Sequence, residues 1–164
     1  MASYAEPLPF HPRRDDVSIE GTEGVFLQYL KMYNPHARDV LDLGCGRGIL
    51  TTAGLKEGLN MVAADIRRGI YQADKSRFFQ ADARKLPFKR GSFDGVIEFL
   101  FLEDLRVLQK VPDETIKTVT AEVHRVLRHG GIFVSRPTHM SEIYTGIGFE
   151  TMYYGADWGI YRKQ

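Results

Sequence analysis

Three acids and a cluster of glycines are spaced as a ligand site would need them. Asp42 precedes Gly44-Cys45-Gly46-Arg47-Gly48, Asp65 follows Gly44 by 21 positions, and Asp82 stands before Ala83 further on. Glycines at a sharp turn let the backbone adopt positive φ and let a ligand approach where a Cβ would stand. A helix N-terminus just after such a turn adds unpaired N–H groups that suit a polar or anionic ligand. A carboxylate ending the next strand lies beside the turn, where it can accept hydrogen bonds from both hydroxyls of a ribose. Glu98, Glu103, Asp104 and His139 are spaced to fall on loops at the carboxyl ends of later strands, where they could take up a proton near neutrality.

The elements that must position these residues follow from apolar patterning. Val40, Leu41 and Leu43 form a short strand that stops at the glycines, and the helix-compatible segment Ile49–Lys56 closes at Gly58. The run 60–65 reads as a second strand. The connector 66–77 has room for one or two helical turns, since a full parallel crossover usually takes a dozen residues or more. Third and fourth strands follow at 78–81 and about 92–99. Pro112-Asp113-Glu114 opens the strongest helix, whose buried stripe is Ile116, Val119, Val123, Val126 and Leu127, with His124, Arg125, Arg128 and His129 as surface and capping residues toward its end. A fifth strand follows Gly130-Gly131. A short helix around 141–144 and strands at 149–154 and 157–162 complete the set. An amphipathic helix over 19–33, carrying Val25, Phe26, Tyr29, Leu30 and Tyr33 on one face, comes before all of these.

Read together, DLGCGRG, VAADI, QADARKLPF, SFDGVIE and EVHRVLRHGGIFVS resemble the motifs of class I S-adenosylmethionine-dependent methyltransferases of the type 11 kind, over about residues 39–163. The glycine spacing G-x-G-x-G differs from the G-x-G-x-x-G of dinucleotide-binding oxidoreductases. The resemblance implies a doubly wound, Rossmann-like α/β fold with a mostly parallel seven-stranded sheet and its last strand antiparallel. It implies an arm at 1–18 and one catalytic domain at 19–164. The cofactor would be S-adenosylmethionine, held by Asp42, Gly44, Cys45, Gly46, Gly48, Asp65, Ile66, Asp82, Ala83, Glu98 and Phe99, with Asp82 and the Ala83 N–H on the adenine. No metal is implied.

The expected reaction is methyl transfer to an N or O nucleophile. Where a base is needed, the candidates are His139 and Glu98, the latter alternatively orienting the cofactor's amino group. The chain lacks the Asn-Pro-Pro-Tyr of amine-directed relatives, and Cys45, in the glycine turn, is the only thiol, which argues against cytosine C5 chemistry. A protein or RNA acceptor is slightly favoured over a small molecule, because little chain is left to close over an acceptor and basic residues cluster at 84–90. A non-catalytic cofactor-binding partner subunit is the alternative.

Length and composition set the frame. With 164 residues, 43% apolar and 26% charged, the chain suits one buried core. A net charge of +1 gives no global attraction to nucleic acid or membrane. The single cysteine and the absence of a secretory apolar core point to a cytoplasmic monomer or small oligomer.

Overall fold

The computed structural model describes residues 22–136, 140–155 and 158–164. The arm 1–18, the first residues of the helix expected from 19, His139 and Asp157 lie outside them. Seven strands form one sheet: β1 (Asp39–Leu43), β2 (Asn60–Asp65), β3 (Phe78–Gln80), β4 (Phe93–Phe99), β5 (Leu127–Arg136), β6 (Phe149–Tyr154) and β7 (Gly159–Lys163). Their order across the sheet is β3-β2-β1-β4-β5-β7-β6. The first five strands are mutually parallel, whereas β7 runs antiparallel to both β5 and β6. The fold is therefore the doubly wound α/β sheet expected from the sequence. Its strand order reverses at β1, and ligands of open α/β sheets bind outside the carboxyl ends at such a point.

Side chains alternate between two helical layers, as a pleated strand requires. One layer is α1 (Thr22–Tyr33) and α2 (Ile49–Lys56), packed with Ile97, Val134 and Ile160. The other is α4 (Asp113–Val126) and α5 (Ser141–Ile147), packed with Val96, Phe133 and Tyr161. Helix α4 owes its place to Ile116, Val119, Thr120, Val123 and Val126, all essentially inaccessible. Each apolar member contributes on the order of 1.5–3 kcal/mol of burial. Helix α1 lies close against β4 because Gly95 has no side chain there; a Cβ would stand 2.6 Å from Leu30 Cδ1. At its other end Phe26 meets Phe99 and Trp158 edge-on. The chain thus enters α1 from the carboxyl side of the sheet. Among the described residues no helix is long and apolar enough to cross a membrane.

The connector after β2 holds two single 3₁₀ turns, Arg68–Ile70 and Lys75–Arg77, in agreement with its length. The exit of α4 differs from expectation. The helix stops at Val126, and Leu127 through Gly131 already belong to β5. Tertiary partners impose this: the Lys163 Nζ donates to the Leu127 carbonyl at 2.7 Å, and Arg128 pairs with both Asp39 and Asp94. Arg128 is therefore no helix cap. His124 is half-buried, its ring set edge-on against Phe149, and burial pulls its pKa down.

Candidate functional site

The site begins where β1 ends. The N–H groups of Gly44 and Cys45 both donate to the Ala64 carbonyl, at 2.8 and 3.2 Å, and Gly48 N–H donates to the Cys45 carbonyl at 2.8 Å. This turn needs positive φ at Gly44, Gly46 and Gly48, 69°, 50° and 83° respectively. The surroundings of the three differ. A Cβ at Gly44 would lie 2.5 Å from Phe101, and one at Gly48 would lie 2.5 Å from Tyr71 and 2.8 Å from Ala73. A Cβ at Gly46 would meet nothing within 4 Å. The two ends of the turn are sealed by side chains, and its middle is open for a ligand to reach the backbone.

Asp42 lies beneath the turn, buried, with Oδ2 accepting from Thr51 N at 3.0 Å and Thr51 Oγ1 at 2.6 Å. It thereby caps α2, whose N-terminal Gly48 has no side chain to do so. Burial pushes its pKa up to about 7, against the lowering effect of Thr51. Cys45 turns its side chain into a small cluster with Ala63 and Tyr71, where burial raises the thiol pKa far above its ordinary value. Asp42 and Cys45 therefore shape the turn from below, with Cys45 offering only backbone to the open side.

Asp65 ends β2 in the position expected of it. Its Oδ2 accepts from Gly46 N at 3.0 Å and its Oδ1 from Arg67 N at 2.8 Å. The exposed Arg67 guanidinium also stands 3.6 Å from Oδ1, so of a carboxylate's about four acceptor sites one or two stay free for a ligand diol. Ile66, next to it, is 61% exposed and presents an apolar surface at the same edge. Asp82 follows β3, but Arg84 grips its carboxylate through Nε and Nη2, at 3.0 and 2.6 Å, and holds its pKa low. Ala83 is half-buried beside it. A diol acceptor, an exposed apolar residue and an uncovered glycine backbone at one carboxyl edge are a fitting cradle for an adenosyl group.

On the other side of β1, Glu98 and Phe99 end β4, in register with Ser135 and Arg136 of β5. Leu100 then takes a left-handed conformation, φ 62°, and starts the single turn α3 (Phe101–Glu103), which continues as the π-helical segment Asp104–Leu108. Glu98 is fully buried, its Oε1 2.5 Å from Ser135 Oγ and its Oε2 accepting from Leu102 N at 3.3 Å. Burial pushes its pKa up to about 8. Phe99 is half-exposed, with the Arg136 guanidinium 5.2 Å above its ring. Glu103 is half-exposed and Asp104 exposed.

Sequence reasoning missed Thr51, Phe101, Tyr71, Ser135 and Tyr144. The place of Phe101, just past the carboxyl end of a strand, was the only available signal.

Comparison with known proteins follows the same outline. A family model described as "Methyltransferase domain" matches residues 41–135, from β1 through β5. A sterol 24-C-methyltransferase of Gibberella zeae is 34% identical over 117 residues, covering 64% of this chain and 29% of its own length. A demethylmenaquinone methyltransferase of Clavibacter sepedonicus is 33% identical over 103 residues, covering 58% and 39%. The chain thus spans less than half the length of these curated relatives. Among solved structures, the 1,6-didemethyltoxoflavin-N1-methyltransferase of Burkholderia thailandensis, with 1,6-didemethyltoxoflavin and S-adenosylhomocysteine bound, superposes with a TM-score of 0.68. It is 20% identical over 88% of this chain and 79% of its own, a likeness of fold.

Proposed function

This chain belongs to the methyltransferase-domain family, and from that premise we propose that it is a class I S-adenosylmethionine-dependent methyltransferase acting on an N or O nucleophile of a small, flat or apolar acceptor. The observation that carries the cofactor reading is the turn sealed at Gly44 and Gly48, open at Gly46, and tied to Asp65 through the Gly46 N–H. The fold alone would not license it, since one fold hosts many functions.

When bound, the cofactor supplies a methyl group made electrophilic by a sulfonium. Asp65 would hold a ribose through its remaining lone pairs and, by its bond to Gly46, keeps the turn in shape. The exposed Ile66 and the Ala83 N–H would be the groups available to an adenine. Asp82 fixes the Asp82–Lys85 turn through its carbonyl, and its grip by Arg84 would make it a weaker acceptor for an exocyclic amine. Phe101 walls the turn on the β4 side and keeps water from that flank. Methyl transfer depends chiefly on aligning donor and acceptor, which can supply roughly 7–11 kcal/mol of the barrier. His139, outside the described residues, stays the candidate for proton removal on the sequence alone.

Two things support the small acceptor. Phe99 and the Arg136 guanidinium make an aromatic and cationic wall at the carboxyl ends of β4 and β5, and such a stack suits a conjugated ring. The curated relatives act on a sterol, there at a carbon, and on a demethylmenaquinone, and the fold neighbour acts on a didemethyltoxoflavin; they support the size of the acceptor and not its N or O atom. A protein or RNA acceptor is favoured by the exposed Arg67, Arg68 and Lys85 near the cofactor edge. The basic stretch 84–90 is nevertheless divided: Arg84 is spent on Asp82, while Arg90 lies near His124 and Lys163. A cofactor-binding subunit without activity would keep the whole turn.

Methyl-labelled S-adenosylmethionine offered with fractionated lysate separates these readings. Label in the small-molecule fraction, lost with Asp65→Ala, is the expected outcome. Label confined to protein or RNA would overturn the small acceptor, and no label in any fraction would favour the subunit.

A further inference from the structure

Glu98 Oε1 lies 2.5 Å from Ser135 Oγ, Ser135 Oγ lies 2.9 Å from Tyr144 Oη, and Tyr144 Oη lies 3.7 Å from Met140 Sδ. All four residues are buried. These are three consecutive polar contacts, yet serine and tyrosine bring only two hydroxyl hydrogens. If Glu98 were a carboxylate, Ser135 would donate to it, Tyr144 would donate to Ser135, and nothing would be left for the sulfur. A proton on Glu98 completes the row: Glu98 donates to Ser135, Ser135 to Tyr144, and Tyr144 to Met140. The other oxygen, Oε2, then remains a pure acceptor for the Leu102 N–H. Among the described residues no lysine or arginine lies within ion-pair distance of Glu98.

We propose that Glu98 is kept as a neutral carboxylic acid and serves as a positioning residue for the cofactor turn. The chain of contact is continuous. Oε2 of Glu98 holds the N-terminus of α3 through Leu102, with the Phe101 N–H also supporting the carboxyl. That bond stabilises the left-handed Leu100, a conformation that costs an ordinary L-residue energy. Leu100 in turn sets Phe101 against Gly44, where its ring occupies the place of a Cβ. Through Ser135 and Tyr144 the same acid ties this arrangement to β5 and α5, on the face of the sheet opposite Phe99. Glu98 is thus no base and meets neither cofactor nor acceptor.

This assignment rests on the cofactor reading for its purpose, but not for its protonation state. Among the described residues, the charged and titratable groups facing the row are Glu103 of α3, Arg106 of the π-helical segment, Tyr144 itself and Tyr161 of β7. Burial foremost, and Glu103 to a lesser degree, disfavour charge on Glu98, while the bonds from Ser135, Leu102 and Phe101 favour it.

The test uses the full chain with Glu98→Gln, whose amide donates and accepts as the neutral acid does, and Glu98→Ala. Infrared difference spectra of wild type against Glu98→Gln at pH 7 should show the carbonyl stretch of a protonated carboxyl that the variant lacks. S-adenosylhomocysteine affinity of Glu98→Gln should stay within about twofold of wild type, whereas Glu98→Ala should lose about tenfold or more by calorimetry. Absence of the protonated-carboxyl band, or a folded Glu98→Gln that loses about tenfold in affinity, would overturn the proposal. Should Glu98→Ala fail to fold, the band and the Glu98→Gln affinity still decide. Failure of wild type to bind S-adenosylhomocysteine would sink the cofactor reading instead, leaving the infrared result to judge the protonation alone.

Discussion

Substituting alanine at each glycine of the turn separates binding from packing. At Gly46 the new methyl meets no protein atom within 4 Å, so the folded state bears only the left-handed backbone at φ 50°. That costs about 1–2 kcal/mol, or roughly 2–8 °C in Tm for a chain of this size. At Gly48 the same backbone term is joined by contact with Tyr71, 5% exposed and unable to retreat, at 2.5 Å. Overpacking of that kind adds about 1–3 kcal/mol, so Gly48→Ala should be the less stable of the two. Ligand protection reverses the order. At about 100 times its Kd, S-adenosylhomocysteine should raise wild-type stability by about 2.7 kcal/mol. Gly46→Ala should lose most of that shift, because its methyl stands where the ligand must approach, while whatever Gly48→Ala remains folded should keep more of it. Thermal melts with and without S-adenosylhomocysteine read both quantities. A Gly46→Ala protein that gains the full ligand shift would refute the assignment of Gly46 as the open face of the site.

Other consequences can be measured alongside. Asp65→Ala removes the acceptor of the Gly46 and Arg67 N–H groups and of a ligand diol, and should weaken S-adenosylhomocysteine binding by about 1.5–3 kcal/mol in a titration, with the fold retained. Arg125→Ala frees the Leu86 and Phe88 carbonyls, which Arg125 holds at 3.0 and 2.7 Å, and should cost about 1–3 kcal/mol with faster amide exchange over 84–90. Asp42 has its pKa raised from 3.8 to about 7 by burial, so in that window the folded protein keeps a proton that the unfolded chain has lost. Its contribution to stability is therefore full below pH 3.8 and declines as pH rises toward 7, by at most about 1.4 kcal/mol per pH unit. Denaturant melts should show that decline, and Asp42→Asn should flatten it; a wild-type slope unchanged in the variant would place the effect elsewhere.

Strands β2 and β6 were legible to the residue, because short apolar runs bounded by Asn60 and Asp65, or by Gly148 and Gly155, leave few alternatives. The glycine turn and the acid ending β2 were legible for a similar reason, since both are local features of the chain. Leu127 was misread because it continues the helical stripe of Val119, Val123 and Val126, and nothing in that spacing shows the Lys163 and Arg128 partners that pull it into β5. Ser135 and Tyr144 were invisible for the same physical reason, and Phe101 was marked only by its place past the end of β4. Their roles exist only through contacts made across β1, β4, β5 and α5, whereas Glu98 was noticed as an acid in the right place and its sealing could not be. Asp82 shows the limit from the other side, since its partner Arg84 stands two residues away in the sequence and still was not weighed.

The central claim is that the turn at Gly44–Gly48 with Asp65 is built for the adenosyl group of S-adenosylmethionine and not for a dinucleotide. Calorimetric titration of the purified chain with S-adenosylhomocysteine, then with NADH in competition, tests it most directly. The account predicts saturable one-site binding of S-adenosylhomocysteine that Asp65→Ala weakens and NADH does not displace. Tight NADH binding with no heat from S-adenosylhomocysteine would contradict it.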